Sequence, residues 1–244
     1  MKSVAYAFVG FSLAVVAMLA PSAATTGTLQ ISAKDETGLS LPGAQVAYHR
    51  IVSLSGVGRQ AVPAPGEAVV HSVASADASG AAALSGLPPG NYILCGWVPS
   101  GPYLDPCKWG VMPQAKISAN AVSSTTLVLR KGALLKVRIN DPQRLLPQTK
   151  DGPLGGPFVI GVKFGKGAFI GAGNTSLDPS GRDYQMAIPV GQQLYLWIFS
   201  RRFTLTDAAN KPVDVSGVPS AFQALAATDQ VFTFSVSGLQ AGAN

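Results

Sequence analysis

The side chains able to do chemistry in this chain are few and widely spaced. Its two histidines, His49 and His71, open neither an H-x-x-E nor an H-E-x-x-H pattern, since Val52 and Ala74 stand three residues on. A catalytic zinc needs three protein ligands in close array. Glu36 and Glu67 are the only glutamates, so both histidines read as surface or strand residues, and no metal or cofactor is expected. No G-x-S-x-G occurs and no serine stands three residues before a lysine, so two hydrolase classes lack their marker. The segment Gly161-Val-Lys-Phe-Gly165-Lys166-Gly167 is one residue short of a phosphate loop and carries Gly167 where Ser or Thr is required. It reads as a hairpin turning at Gly165-Lys166-Gly167. Asp77 and Asp105 are the pair of carboxylates one would propose for glycoside hydrolysis, yet turn aspartates more often bond their own backbone. No catalytic residue is assigned, and the chain is read as a non-enzyme.

Two cysteines and three aromatic residues remain. Lys2 followed by the apolar run Val4 to Leu19, Pro21 and Ser22-Ala23-Ala24 has the form of a secretory signal cleaved after Ala24. Cys95 and Cys107 follow in an exported chain, which predicts a disulfide. Pro99, Gly101, Pro102 and Pro106 between them allow the chain to turn back. Trp97, Tyr103 and Trp109 cluster around that loop. Flat rings on a rigid loop can stack on sugar faces or anchor a protein partner; the same rings can also cover the bridge as a satellite core.

Charge excludes one class of partner. Net charge is +6, with the excess in the second half, but Arg130-Lys131 and Arg201-Arg202 are the only adjacent basic pairs. Nucleic-acid binding needs a basic patch with a motif, so none is expected. No membrane span is expected once the signal is removed.

The elements that must hold these residues read as strands throughout. Charged residues are 12% of the chain, while Gly (27) and Pro (18) supply frequent turns. Apolar residues alternate in Leu29–Ala33 and recur in Ala44–Tyr48, Ala68–Val73, Ala81–Leu84, Tyr92–Val98 and Thr125–Leu129. The second half repeats the style in Leu134–Ile139, Phe158–Phe164, Tyr184–Ile188, Leu194–Phe199, Phe203–Thr206 and Val231–Val236. Only Ala221–Ala227 suggests a turn or two of helix. Residues recur as well. Asp77-x-Ser79-Gly80, Pro88 and Gly90 reappear at a constant offset as Asp178-x-Ser180-Gly181, Pro189 and Gly191, predicting one turn–strand–turn unit built twice. The halves join near Arg130-Lys131-Gly132 without a linker, and Asp141–Pro157 reads as an exposed loop.

The run Asp77-Ala-Ser-Gly80 to Leu87-Pro-Pro-Gly90-Asn-Tyr92, preceded by Gly38-Leu-Ser-Leu41-Pro-Gly43-Ala44-Gln-Val46, resembles carboxypeptidase regulatory-like domains and, with them, collagen-adhesin B-type repeats. Small residues at Ala81–Ala83, where an aromatic is commoner, and the insertion Ser53–Pro65 depart from that pattern. Cys95 with Tyr103–Trp109 resembles a variant in exported bacterial proteins. The resemblance covers residues 27–130 and implies a transthyretin-like β-sandwich, without an activity.

The expectation is therefore an all-β protein: a signal peptide over 1–24, then two tandem antiparallel β-sandwich domains of Ig-like or transthyretin-like type over 25–130 and 131–244. It would be secreted or periplasmic and act as a structural or interaction module toward a protein or polysaccharide partner. Carbohydrate binding through Trp97, Tyr103 and Trp109 is the alternative reading, with hydrolysis a distant third.

Overall fold

A computed structural model describes residues 25–55, 62–63, 69–147, 156–164, 169–224 and 228–241. The signal reading for 1–24 and the Gly165-Lys166-Gly167 turn lie outside the described residues. The first half contains β1 (Gly27–Asp35), β2 (Gln45–Arg50), β3 (Leu54–Ser55), β4 (Val62–Pro63), β5 (His71–Ser75), β6 (Ala81–Leu87), β7 (Gly90–Trp97) and β8 (Tyr103–Leu104). A single helical turn, α1 (Pro106–Trp109), then precedes β9 (Gln114–Ile117) and β10 (Val122–Lys131). The second half contains β11 (Ala133–Asn140), β12 (Val159–Phe164), β13 (Phe169–Gly171), β14 (Gly173–Asp178) and β15 (Gly181–Ile188). It continues with β16 (Gln193–Phe199), β17 (Phe203–Asp207), β18 (Pro212–Val213), β19 (Ser220–Gln223) and β20 (Gln230–Leu239).

The chain forms two β-sandwiches in tandem. In the first, the sheet β6-β1-β10-β8 faces the sheet β5-β2-β7-β9. Period-two alternation decides which side chains meet between them. Leu29, Ile31 and Ala33 of β1 point inward and join Val46, Tyr92, Leu94, Leu127 and Leu129 in one buried cluster. Removing each such Leu or Ile from water is worth about 1.5–3 kcal/mol. In the second, the sheet β14-β15-β11-β20-β17-β18 faces β13-β12-β16-β19. Its core gathers Leu135, Val137, Ile139, Ile160, Leu196, Ile198 and Phe203.

The two sandwiches share one strand order. β1 pairs antiparallel with β6 and parallel with β10, and β11 pairs antiparallel with β15 and parallel with β20. β8 closes on β10 as β17 closes on β20. In the facing sheets, β5-β2-β7-β9 corresponds to β13-β12-β16-β19. The repeated turn motif thus leads into equivalent strands, β6 and β15, although in the first sandwich it arrives from β5 of the facing sheet and in the second it closes the β14–β15 hairpin. Asp77 Oδ1 accepts from Ser79 N at 2.8 Å and Ser79 Oγ at 2.7 Å, and Asp178 Oδ1 accepts from Ser180 N at 2.7 Å. β14 and β18 are additions of the second sandwich.

Two elements differ from the sequence expectation. The stretch expected to include helix forms strand β19 over Ser220–Gln223, because its backbone completes the β16 ladder from Leu196 to Gln193; 225–227 lie outside the described residues. The turn α1 is the second difference, too short to leave a periodic signal in the sequence. Asp105 caps it by accepting from Cys107 N at 3.0 Å, and Pro106 occupies its first position.

Candidate functional site

Only Gly132 separates β10 from β11, and the segment enclosed by the cysteines holds that junction. Cys95 lies on the outer face of β7 and is bridged to Cys107 of α1, with Cα atoms 5.3 Å apart. Within the loop, Tyr103 and Leu104 of β8 pair with Lys131 and Arg130 of β10. Gly132 N donates to Pro102 O at 2.6 Å, Lys131 N donates to Glu36 Oε2 at 2.9 Å, and Arg130 Nη2 donates to Trp109 O at 3.2 Å. A Cβ at Gly132 would stand 2.8 Å from Leu104 Cδ2 and run into Ile188 O. The junction is packed on both sides.

The loop forms one wall of a cleft of about 640 Å³ between the sandwiches. All three aromatic residues singled out in the sequence line it. Trp97 is the most open, with 36% of its surface exposed. Tyr103 is half-buried and leans on the first core. Burial pushes its phenol above the ordinary value, and the carboxylates of Asp35 and Glu36 push it the same way. Trp109 is half-buried and packs against the core of the second sandwich, although its backbone belongs to the first. The opposite wall comes from Leu134 on β11, Gln185 and Met186 on β15, and the side-chain-free Gly171 and Gly173. His49 stands at the same cleft, on the outer face of β2. A second hollow of about 620 Å³ lies beyond Trp109, against Phe164, Phe169 and Gln192. Trp109 is therefore a wedge between two hollows.

Cys95, Asp105 and Cys107 are the one group among the described residues close enough to suggest a three-ligand metal site. Both sulfurs are consumed by the disulfide. Asp105 is turned to the backbone, accepting from Gly96 N at 3.3 Å and from Cys107 N, with Lys108 Nζ 3.9 Å away. That arrangement is structural.

The carboxylates with shifted acidities are all held on the ionised side. The Thr37 hydroxyl lowers Asp35, the Ser79 hydroxyl lowers Asp77, and the Ser216 hydroxyl lowers Asp214. Asp178 lies far below the usual range, chiefly through its bond from Arg138 and then the Ser180 hydroxyl. Arg138 Nη1 reaches Asp178 at 2.9 Å and Asp183 at 3.0 Å. A general acid needs the opposite shift. Asp77, one half of the pair considered for glycoside chemistry, is engaged with its own turn.

A second aromatic group escaped the sequence reading. Phe169 and Phe199 flank Trp197 with ring centroids 4.7 Å and 5.9 Å away, and Lys163 Nζ lies 5.7 Å over it. The signal was present: Tyr195, Trp197 and Phe199 alternate along β16, which puts them on one face. A Cβ at Gly217 would meet the Trp197 ring at 2.7 Å, so this ring is covered from that side.

No family model matches the chain, and no curated protein matches it. Solved structures similar to it include the Bacillus anthracis TIE protein, with 10% identity, TM-score 0.33, and coverage of 87% of this chain and 34% of that one. A streptococcal ancillary pilin shows 15% identity and TM-score 0.36, over 87% of this chain and 62% of that one. BcpA, the major pilin subunit of Bacillus cereus, shows 9% identity and TM-score 0.32, over 80% and 81%. The chain thus spans about a third of the first structure's length and under two thirds of the second's. The fold assignment rests on the strand order, and the carboxypeptidase regulatory-like resemblance rests on its turn motif. Among the described residues no helix is long and apolar enough to cross a membrane.

Proposed function

We propose that this protein is a non-catalytic, exported interaction module whose cleft between the sandwiches takes an apolar segment of a partner protein. One observation carries the reading: Trp97, Tyr103 and Trp109, all from one disulfide-held stretch, line a single cleft opposite Leu134 and Met186. Aromatic rings and a thioether suit apolar side chains. A loop tied by a disulfide and by backbone bonds loses little freedom on binding. The engagement of Asp77 with its own turn, and of Asp178 with Arg138 and Ser180, supports the non-catalytic part.

Polysaccharide binding through the same rings is the second reading, favoured by the exposure of Trp97 at the cleft. One experiment separates them. The mature chain is panned against displayed peptides and titrated, by tryptophan fluorescence, with a set of purified polysaccharides. Enrichment of apolar or aromatic peptides whose binding is lost in Trp97→Ser supports the protein partner. Saturable quenching by a polysaccharide, lost in the same variant without peptide enrichment, supports the sugar. Binding by neither, or binding indifferent to Trp97→Ser, removes the cleft as the site.

A further inference from the structure

We propose that His49 and His71 form a two-imidazole chelate for a divalent transition-metal cation, Cu²⁺ before Ni²⁺ or Zn²⁺. The proposal does not rest on the cleft binding a partner. The two residues are directly opposed in the antiparallel ladder of β2 and β5. Opposed residues share a face of the sheet, with Cβ atoms about 4.5–5.5 Å apart. Here the rings lie with centroids 6.2 Å apart and planes 10° from parallel. Both side chains are exposed, so rotating them within their staggered wells is cheap. Two nitrogens then approach a common point about 2.0–2.1 Å from each, the bond length imidazole makes with zinc.

The surroundings favour a cation held by these two groups. The next residue along the row is Ile93 of β7, opposite His49, followed by Gln114 of β9. Two residues away on the same face stand Ala47, Val73 and the disulfide-bonded Cys95. None of these crowds the rings with a charged side chain. Because the ladder fixes the pair, the second imidazole binds without a further search, and the chelate gains over a lone histidine. Affinity among first-row cations for nitrogen ligands peaks at Cu²⁺.

The consequence is local and functional together. Among the described residues β5 lies at the edge of its sheet, paired only with β2, and four of its five residues are exposed. A cation shared by His49 and His71 would staple that edge strand to its neighbour. Two protein ligands leave coordination positions open to water or to a carboxylate or imidazole from outside. His49 lines the cleft, so an outside donor would meet the metal there.

The test is clean because His49 and His71 are the only histidines of the chain. The mature protein is titrated with Cu²⁺, Ni²⁺ and Zn²⁺ separately by calorimetry, alongside His49→Gln, His71→Gln and the double variant. The expected result is one equivalent of Cu²⁺, with either single change weakening it by about 100-fold and the double change weakening it further. Cu²⁺ should raise the melting temperature of the native chain and not that of the variants. Unchanged affinity in either single variant overturns the chelate, as does the absence of a one-equivalent isotherm. Circular dichroism of the variants shows that the sheet is intact; because both side chains are exposed, it should match the native chain.

Discussion

Gly80 and Gly181 stand at the same point of two equivalent strand orders, each pressed against a carbonyl of the strand that opens its sandwich. A Cβ at Gly80 would lie 2.9 Å from Ala33 O of β1, and one at Gly181 would run into Ile139 O of β11. The backbone bonds are one residue out of step: Ala33 N donates to Gly80 O at 2.8 Å, whereas Asp141 N donates at 2.7 Å to the carbonyl of Ser180, the residue before Gly181. Aspartate begins each turn and glycine ends it because the turn has to clear a neighbouring strand.

Gly80→Ala should therefore destabilise the protein by about 1–3 kcal/mol, through a φ of +80° and the contact with β1. Gly43 also has a positive φ, +71°, but nothing within 4 Å of a Cβ, so Gly43→Ala should cost less. Thermal unfolding of the two variants measures the difference. Equal losses would mean that the contact with Ala33 O adds nothing.

The Arg138–Asp178 pair gives the second sandwich an acid-sensitive tie. The Arg138 guanidinium and the Ser180 hydroxyl depress the Asp178 carboxyl. A group whose folded acidity lies below its unfolded one contributes stability that is fully present above the unfolded pKa, about 3.9, and is lost as pH falls through the folded value. Arg138→Met should move the Asp178 titration upward, toward ordinary carboxylate values, as read by carbon-detected NMR. An unmoved titration would assign the depression to Ser180 and the turn backbone.

Breaking the bridge with Cys95→Ser and Cys107→Ser should cost about 3 kcal/mol from loop entropy. A further effect follows from its position. The bridged segment carries Pro102, which accepts from Gly132 N, and its closing residue Cys107 shares the turn α1 with Trp109, which packs against the second core. Small-angle scattering of the double variant should show a broader distribution of sandwich orientations than the native chain. A stability loss with an unchanged scattering profile would confine the bridge to the first sandwich.

Much of this architecture is written locally. β1 and β16 alternate between buried residues and more open ones, and such strands can be read one residue at a time. The offset between the two Asp-x-Ser-Gly turns carried the repeat. Short strands such as β13 and β9 leave no legible pattern, because three or four residues make no period, and they form through pairing with β12 and β7. Ala221 sits in a helix-favouring run, yet Ser220–Gln223 pairs with β16, tertiary pairing overriding local propensity. Half of the cleft was legible, since Cys95, Trp97, Tyr103, Cys107 and Trp109 lie close in sequence. The facing wall was not: Leu134 and Met186 have no motif and become neighbours of the loop only when the sandwiches are set side by side. The opposition of His49 and His71 likewise needs the register of β2 against β5.

We propose that residues 25–130 and 131–244 fold as separate units. The buried cluster of the first sandwich draws on no residue beyond Leu129, and that of the second on none before Ala133. A chain of residues 25–131 should unfold cooperatively on heating and give a dispersed amide spectrum with its disulfide formed. A non-cooperative transition would show that the second sandwich is needed to complete the first.

Trp97 and Trp109 should separate binding from packing. Trp97 keeps 36% of its surface exposed and belongs to neither buried cluster, whereas Trp109 packs against the second core from the first sandwich. Full truncation of a buried tryptophan costs about 3–5 kcal/mol; Trp109 is half-buried, so Trp109→Ala should lose about half of that and loosen the junction. Trp97→Ala should leave the melting temperature within a degree or two, since exposed positions contribute about ±0.5 kcal/mol or less. Any ligand of the cleft should lose affinity in Trp97→Ala at constant stability, and in Trp109→Ala together with stability. Calorimetric unfolding and a binding titration on the same samples decide it. A destabilised Trp97→Ala with unchanged binding would make the loop aromatics a cover for the disulfide and nothing more.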